Sequence, residues 1–146
     1  MNSVGDIIDP SVGQIIAGVL TDDKKEFADA RKLIRSANVF DEPNLMGNTT
    51  IVIIATNAKL SKSQATKVAQ MAQDGIAGAI YPAHTTRDGD TVFSLSTGTY
   101  HEPSDVSKIG SLAPDMLVES ILRALKAAKG LQMHTLYSRF DSRLLG

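Results

Sequence analysis

The sequence predicts an α/β fold, with strands and helices interleaved along the chain and helices layered on sheet. Three segments carry that expectation. Thr49 to Thr56 (TTIVIIAT) is a β-branched run, and Asp90 to Thr97 (DTVFSLST) reads as a second strand. Between them, Ser61 to Tyr81 places small and apolar residues at helical spacing.

Composition sets the outer bounds. At 146 residues the chain is one domain's worth of sequence, and 42% hydrophobic against 21% charged residues excludes wholesale disorder. Fifteen basic residues against sixteen acidic ones leave a net charge of −1. That balance offers no field to attract nucleic acid or an anionic membrane, so neither is expected as a partner. The chain has no cysteine, which excludes disulfides, thiolate metal sites and a thiol nucleophile. Met1 to Asp6 lacks the basic and apolar regions of a secretory signal. No apolar run approaches the roughly 18 residues of a membrane span. A soluble, cytoplasmic protein is the expectation.

Along the chain, the first twenty residues alternate apolar pairs (Ile7-Ile8, Ile15-Ile16, Val19-Leu20) with Asp9-Pro10, Gly13 and Gly18. They predict two short strands joined by a turn. Within the polar stretch Asp22 to Asn48, the spacing of Phe27, Ala30, Leu33 and Ile34 predicts a helix over Lys24 to Ala37, followed by loop. About 22–48 is expected to be a mobile linker. The strand Thr49–Thr56 has apolar residues that do not alternate, which predicts burial on both faces. In the helix from Ser61, Ser61 and Gln64 form a capping box, and Ala65, Val68, Ala69, Ala72, Ile76 and Ala79 share the buried face. Gly75 and Gly78 lie inside this helix, so they suit close packing and not a phosphate loop. Pro82 is expected to end it.

The second strand places Val92, Ser94 and Ser96 on one face and Phe93 and Leu95 on the other, with Gly98 expected as its end. A last helix is predicted from Pro114 to Lys129, with Pro114 in the first turn, Gly130 as the stop, and Val118, Ile121, Leu122 and Leu125 as its buried stripe. Arg123, Lys126 and Lys129 form its solvated face. The tail, Leu131 to Gly146, gives no clear pattern.

Two places could hold chemistry. At Gly47-Asn48-Thr49-Thr50, a hydroxyl residue opens a strand after a flexible pair. Self-cleavage between Asn48 and Thr49 would free an α-amine of unperturbed pKa about 7.7–8.0, able to act as base for the Thr49 hydroxyl. By itself, the plainer reading is a loop feeding a strand. At Asp88-Gly89-Asp90, two carboxylates flanking a glycine can converge on an ammonium or hydroxyl, although a solvated turn accounts for the same residues. A calcium loop starting at Asp88 would require Glu where Thr99 stands. His84, His101 and His134 lack metal-ligand spacing and read as surface or capping residues.

Taken together, the run Gly47 to Gly98 resembles the β-subunit opening of the DmpA-type N-terminal-nucleophile hydrolases. That family includes L-aminopeptidase/D-esterases, β-peptidyl aminopeptidases and the endo-type hydrolases of nylon oligomers. The likeness is nearest to the nylon-oligomer branch, which also cleaves between Asn and Thr. It implies Thr49 as nucleophile and Asn48-Thr49 as the self-cleaved bond. Asp88 and Asp90 match the pair holding the nucleophile's amine and hydroxyl, and Asn2 matches an oxyanion donor. The implied fold is part of an αββα sandwich. Residues 1–48 would be the tail of an α-subunit-like segment and 49–146 a β-subunit-like segment, together one incomplete domain. The implied substrate is a small peptide or oligoamide, with no cofactor or metal.

Members of that family carry a larger segment ahead of the Asn2-like strand. The chain is therefore expected to expose strand edges and an apolar sheet face. A homo-oligomer or a complementing α-subunit-like chain would cover them. The alternative function is a truncated or split, non-catalytic homologue acting as an oligomerising domain.

Overall fold

The computed structural model describes residues 2–36 and 48–128. The fold is mixed α/β. Strands β1 (Asp6–Asp9) and β2 (Gln14–Ala17) form the expected hairpin, and β4 (Ile80–Tyr81) joins β1 antiparallel, giving the order β2-β1-β4. A second sheet pairs β3 (Ile51–Ala58) with β5 (Thr91–Tyr100) in parallel. The connection between β3 and β5 runs through α2 (Lys62–Ala72), α3 (Asp74–Ala79) and β4. The fourth helix, α4 (Val106–Ala127), packs across α2 and α3.

The first helix, α1 (Ala30–Arg35), is shorter than the spacing predicts. Residues 19–28 form a tight loop closed by Thr21 N–H to Glu26 O and Ala28 N–H to Val19 O, with a Leu20–Phe27 bridge. Phe27 is therefore part of this bridge, and the helix starts only where the Asp29 side chain caps the Arg31 N–H. The stretch expected as a linker thus contains a helix, and Asn48 at its end belongs to the site below. Residues 37–47 lie outside the described residues, as do Lys129, Gly130 and the tail.

The capping box at Ser61–Gln64 forms with both hydrogen bonds. Val68, Ala72, Ile76 and Ala79 on the expected face are fully buried. The helical run breaks at Gln73, however, and ends at Ala79, ahead of Pro82. Ile80 and Tyr81 pair with β1 instead. The glycine argument holds: a Cβ on Gly75 would sit 2.6 Å from Pro114 O and one on Gly78 3.0 Å from Val118 Cγ2, so α3 lies almost backbone to backbone on α4.

Helix α4 corrects the predicted boundary. It starts at Val106, where Asp105 caps the Ser107 and Lys108 N–H groups, and Pro114 lies in its interior. Proline there removes one helical hydrogen bond, and the strong cap and packing of α4 against α2 and α3 outweigh that loss. Strand β5 likewise runs past Gly98, whose φ of 66° accompanies a register shift before Tyr100 pairs with Ala58.

The main core joins Ile7 and Ile16 of the first sheet to Ile76, Ile80, Leu117 and Ile121. Val52, Ile54 and Val92 pack against it from the second sheet. Strand β3 is not buried on both faces: Ile51 and Ile53 are exposed, and so are Phe93, which pairs with Ile53, and Leu95, which pairs with Ala55. Helices cover one face of this sheet. Among the described residues nothing covers the other.

Candidate active site

The site lies where the two sheets meet, at the entrance to β3. Thr49 is half-buried and is gripped by the N-terminal segment through two backbone hydrogen bonds: Thr49 N–H to Asn2 O at 2.9 Å and Asn2 N–H to Thr49 O at 3.0 Å. On the other side of the Asn48–Thr49 peptide, the 85–90 turn holds Asn48. Its N–H donates to Arg87 O at 3.3 Å, and its carbonyl accepts the Gly89 N–H at 2.7 Å. The Thr49 hydroxyl donates to that same Asn48 carbonyl oxygen at 2.6 Å. The peptide linking these two residues is therefore clamped on both sides, with the hydroxyl folded back onto its carbonyl.

The two aspartates come to this site and act on its frame. Asp88 Oδ1 accepts the Val4 N–H at 3.1 Å, and its Oδ2 accepts both the N–H and the hydroxyl of Thr85, at 3.2 and 2.6 Å. This one carboxylate ties the N-terminal segment to the turn. Asp90 has a nearly buried side chain whose Oδ1 accepts the Thr50 N–H at 2.9 Å, the amide next after the Thr49 residue. Its Oδ2 lies 3.3 Å from His84 Nδ1. Asn2 reaches Thr49 through its main chain, and the residue itself is exposed.

Three participants escaped the sequence reading. His84 is exposed, as expected of a surface residue, and its ring also reaches the buried Asp90 carboxylate, an approach that a lone histidine does not signal. Thr85 braces Asp88 by an ordinary side-chain bond within the turn. Gly89 contributes a backbone N–H, and only its place between the two aspartates marked it. Among the described residues, no group of three or more His, Asp or Glu side chains converges as a metal site requires.

A groove of about 630 Å³ begins at Thr50 and follows β3 between that strand and α4, lined by Ile54, Leu112, Met116 and Ile121 among others. The Thr50 hydroxyl is buried and has no hydrogen-bond partner. Elsewhere, Asp6 is fully buried in β1 and accepts the Ala30 N–H at 2.6 Å and the Val19 N–H at 3.1 Å, tying α1 to the hairpin. Burial pushes its carboxyl above the ordinary value, and the two backbone donors offset only part of that.

Residues 8–136 match peptidase family S58. The chain belongs to this family. An uncharacterized aminopeptidase of Mycobacterium leprae is 37% identical, covering 88% of this chain and 39% of its own length. Another uncharacterized aminopeptidase, from Mycobacterium tuberculosis, is 33% identical over 87% of this chain and 38% of its own length. The 6-aminohexanoate-oligomer endohydrolase of Paenarthrobacter ureafaciens is 27% identical over 86% of this chain and 39% of that enzyme. The chain thus spans about two fifths of the length of these relatives. Its family is one of peptidases and hydrolases, and no helix among the described residues is long and apolar enough to cross a membrane.

Proposed function

We propose that this chain is the nucleophile-bearing component of an S58 amidohydrolase or aminopeptidase, cut by its own Thr49 at the Asn48–Thr49 bond. The observation that carries the reading is the Thr49 hydroxyl lying 2.6 Å from the Asn48 carbonyl oxygen, within a peptide clamped from both sides. Cleavage would leave the new Thr49 amine beside its own hydroxyl. The free amine takes the hydroxyl proton as Oγ1 attacks a substrate amide carbonyl, and an acyl-enzyme forms as the amine product leaves. Water then releases the acid. Asp88 and Asp90 hold the segments that carry Thr49, and Asn2, whose main chain pairs with Thr49, is the proposed oxyanion donor. Peptides or oligoamides are the proposed substrate class, with the cytoplasm as setting.

The uncovered face of the β3–β5 sheet supports a second element of this reading. A complementing α-subunit-like polypeptide lays a strand along the free edge of β3 and covers Ile51, Ile53, Phe93 and Leu95. Parallel strands are ordinarily covered on both faces, and an unpaired edge invites pairing. The same open face favours the competing reading, an oligomerising domain without catalysis.

Intact mass and N-terminal sequencing of the purified chain separate the two. Two pieces, one beginning at Thr49, are expected, and Thr49→Ala should remain whole and lose amide hydrolysis. Amidase activity retained in Thr49→Ala would sink the assignment. A chain that stays whole, assembles and hydrolyses nothing would favour the oligomerising domain.

A further inference from the structure

We infer that the main-chain N–H of Gly89 is the oxyanion donor for self-cleavage at Asn48–Thr49, and that residue 89 is glycine because the attacking hydroxyl occupies the space of a side chain. This rests on the self-cleavage reading above and adds to it a group that no side-chain motif marks.

Two independent observations converge on Gly89. Its N–H already points at the scissile carbonyl oxygen, 2.7 Å away, while the Thr49 hydroxyl contacts the same oxygen at 2.6 Å. A Cβ added to Gly89 would lie 2.9 Å from Thr49 Oγ1, closer than real Cβ atoms approach, and 3.6 Å from the Asn48 oxygen. Gly89 is not among the glycines with positive φ, so its backbone would accept alanine; what excludes a side chain is the hydroxyl. The flanking aspartates fix the turn without touching the oxygen: Asp88 through Val4 and Thr85, Asp90 through the Thr50 N–H. The donor is thus held in place before charge develops, the arrangement that lowers a barrier most.

The step balances as follows. Thr49 Oγ1 bonds to the Asn48 carbonyl carbon, and the carbonyl electron pair moves onto the oxygen that Gly89 N–H holds. The carbon–nitrogen bond then breaks as the oxyanion collapses. The proton lost from Oγ1 ends on the Thr49 nitrogen, which becomes the free amine. An ester joins Asn48 to Thr49 Oγ1, and water splits it into the Asn48 carboxylic acid and the Thr49 hydroxyl.

The test follows processing of the full chain by intact mass, with and without hydroxylamine, in wild type, Thr49→Ala, Gly89→Ala and a semisynthetic chain carrying glycolic acid at position 89. The last replaces the Gly89 N–H by an ester oxygen and adds no side chain. Loss of one oxyanion donor slows such steps by about 10²–10³-fold, and the glycolic-acid chain should slow by about that factor. Gly89→Ala keeps the N–H and should slow because its Cβ crowds Thr49 Oγ1. Hydroxylamine intercepts the ester and should not restore their rates, because the slowed step precedes it. A glycolic-acid chain cut at the wild-type rate overturns this inference alone. So does restoration by hydroxylamine, which would move the donor to ester hydrolysis. A wild-type chain that stays whole overturns the self-cleavage reading and this inference with it. Should the variants fail to fold, NMR of Thr49→Ala still decides. A scalar coupling across the hydrogen bond from the Gly89 nitrogen to the Asn48 carbonyl carbon is expected, and its absence refutes the proposed contact.

Discussion

The two faces of the β3–β5 sheet have nearly the same hydrophobic content and opposite fates. Toward the helices, Val52, Ile54 and Val92 pack on the core that holds Ile76, Leu117 and Ile121. Away from them, Ile51, Ile53, Phe93 and Leu95 are 67%, 66%, 55% and 54% exposed. Scattered exposed apolar residues are ordinary, but four adjoining ones on a parallel sheet form a patch of the kind that marks an interaction surface. The helix-covered face packs into the core of this chain, whereas among the described residues nothing packs on the open face, and the proposed docking rests on that contrast. The site sits at the boundary, since Thr49 lies two residues ahead of the strand that carries both faces.

The sharpest way to test that division is to cut the covered side. Ile76 is fully buried at the centre of the core, and Ile76→Ala removes packing that nothing nearby can replace. Large-to-small changes of this kind cost about 2–5 kcal/mol, which chemical denaturation of the purified chain would read directly. A loss under about 1 kcal/mol would show that the covered layer is not the centre of stability.

The same two faces differ in how far they were legible in the sequence. The alternation of Val92, Ser94 and Ser96 against Phe93 and Leu95 gave the faces of β5 correctly, because a two-residue period is local information. The unbroken run in β3 predicted two buried faces, and one is open: the sequence encodes a preference for cover, and burial needs the covering element. Helix α4 was cut short because Pro114 obeys a local rule that packing against Gly75 and the Asp105 cap override. In the candidate site, Asn48-Thr49 and Asp88-Gly89-Asp90 stood out in the sequence as two short runs, and the structure brings the two runs together. The grip of the Asn2 main chain on Thr49 and the Gly89 N–H were not legible, because backbone hydrogen bonds leave no signature in residue type. The pairing of His84 with Asp90 was hidden for a related reason: the turn geometry, not the spacing, brings them together.

A smaller effect comes from Asp6, a carboxyl buried in β1 of the first sheet. Asp6→Ala leaves the Ala30 and Val19 N–H groups without their acceptor, at a cost on the order of 1–3 kcal/mol. The pH dependence has a definite sign. Burial raises the folded-state value above the ordinary 3.8, so the folded chain holds this proton more tightly than the unfolded one. The corresponding stability is fully present below about pH 3.8 and is lost as pH rises through the raised folded value. Asp6→Asn lacks this titration. The stability of wild type relative to Asp6→Asn should therefore fall as pH rises through that window. Denaturation of both proteins at several pH values checks it, and a difference that grows with pH would reverse the assigned sign.

The smallest effect on stability belongs to the open face, and its smallness is the point. Ile53→Ser and Phe93→Ser remove apolar surface that water already reaches, so each should change the unfolding free energy of the monomer by no more than about 0.5 kcal/mol. Association should respond very differently. If the face is a docking surface, sedimentation velocity will show the wild type moving from monomer to assembly with concentration, or with an added complementing chain, and the double serine variant failing to do so. Equal stability with lost association confirms that one sheet has two separable jobs. A double variant that instead loses several kcal/mol as a monomer would mean that the outer residues support the fold itself, and the division between a stabilising face and a binding face would collapse.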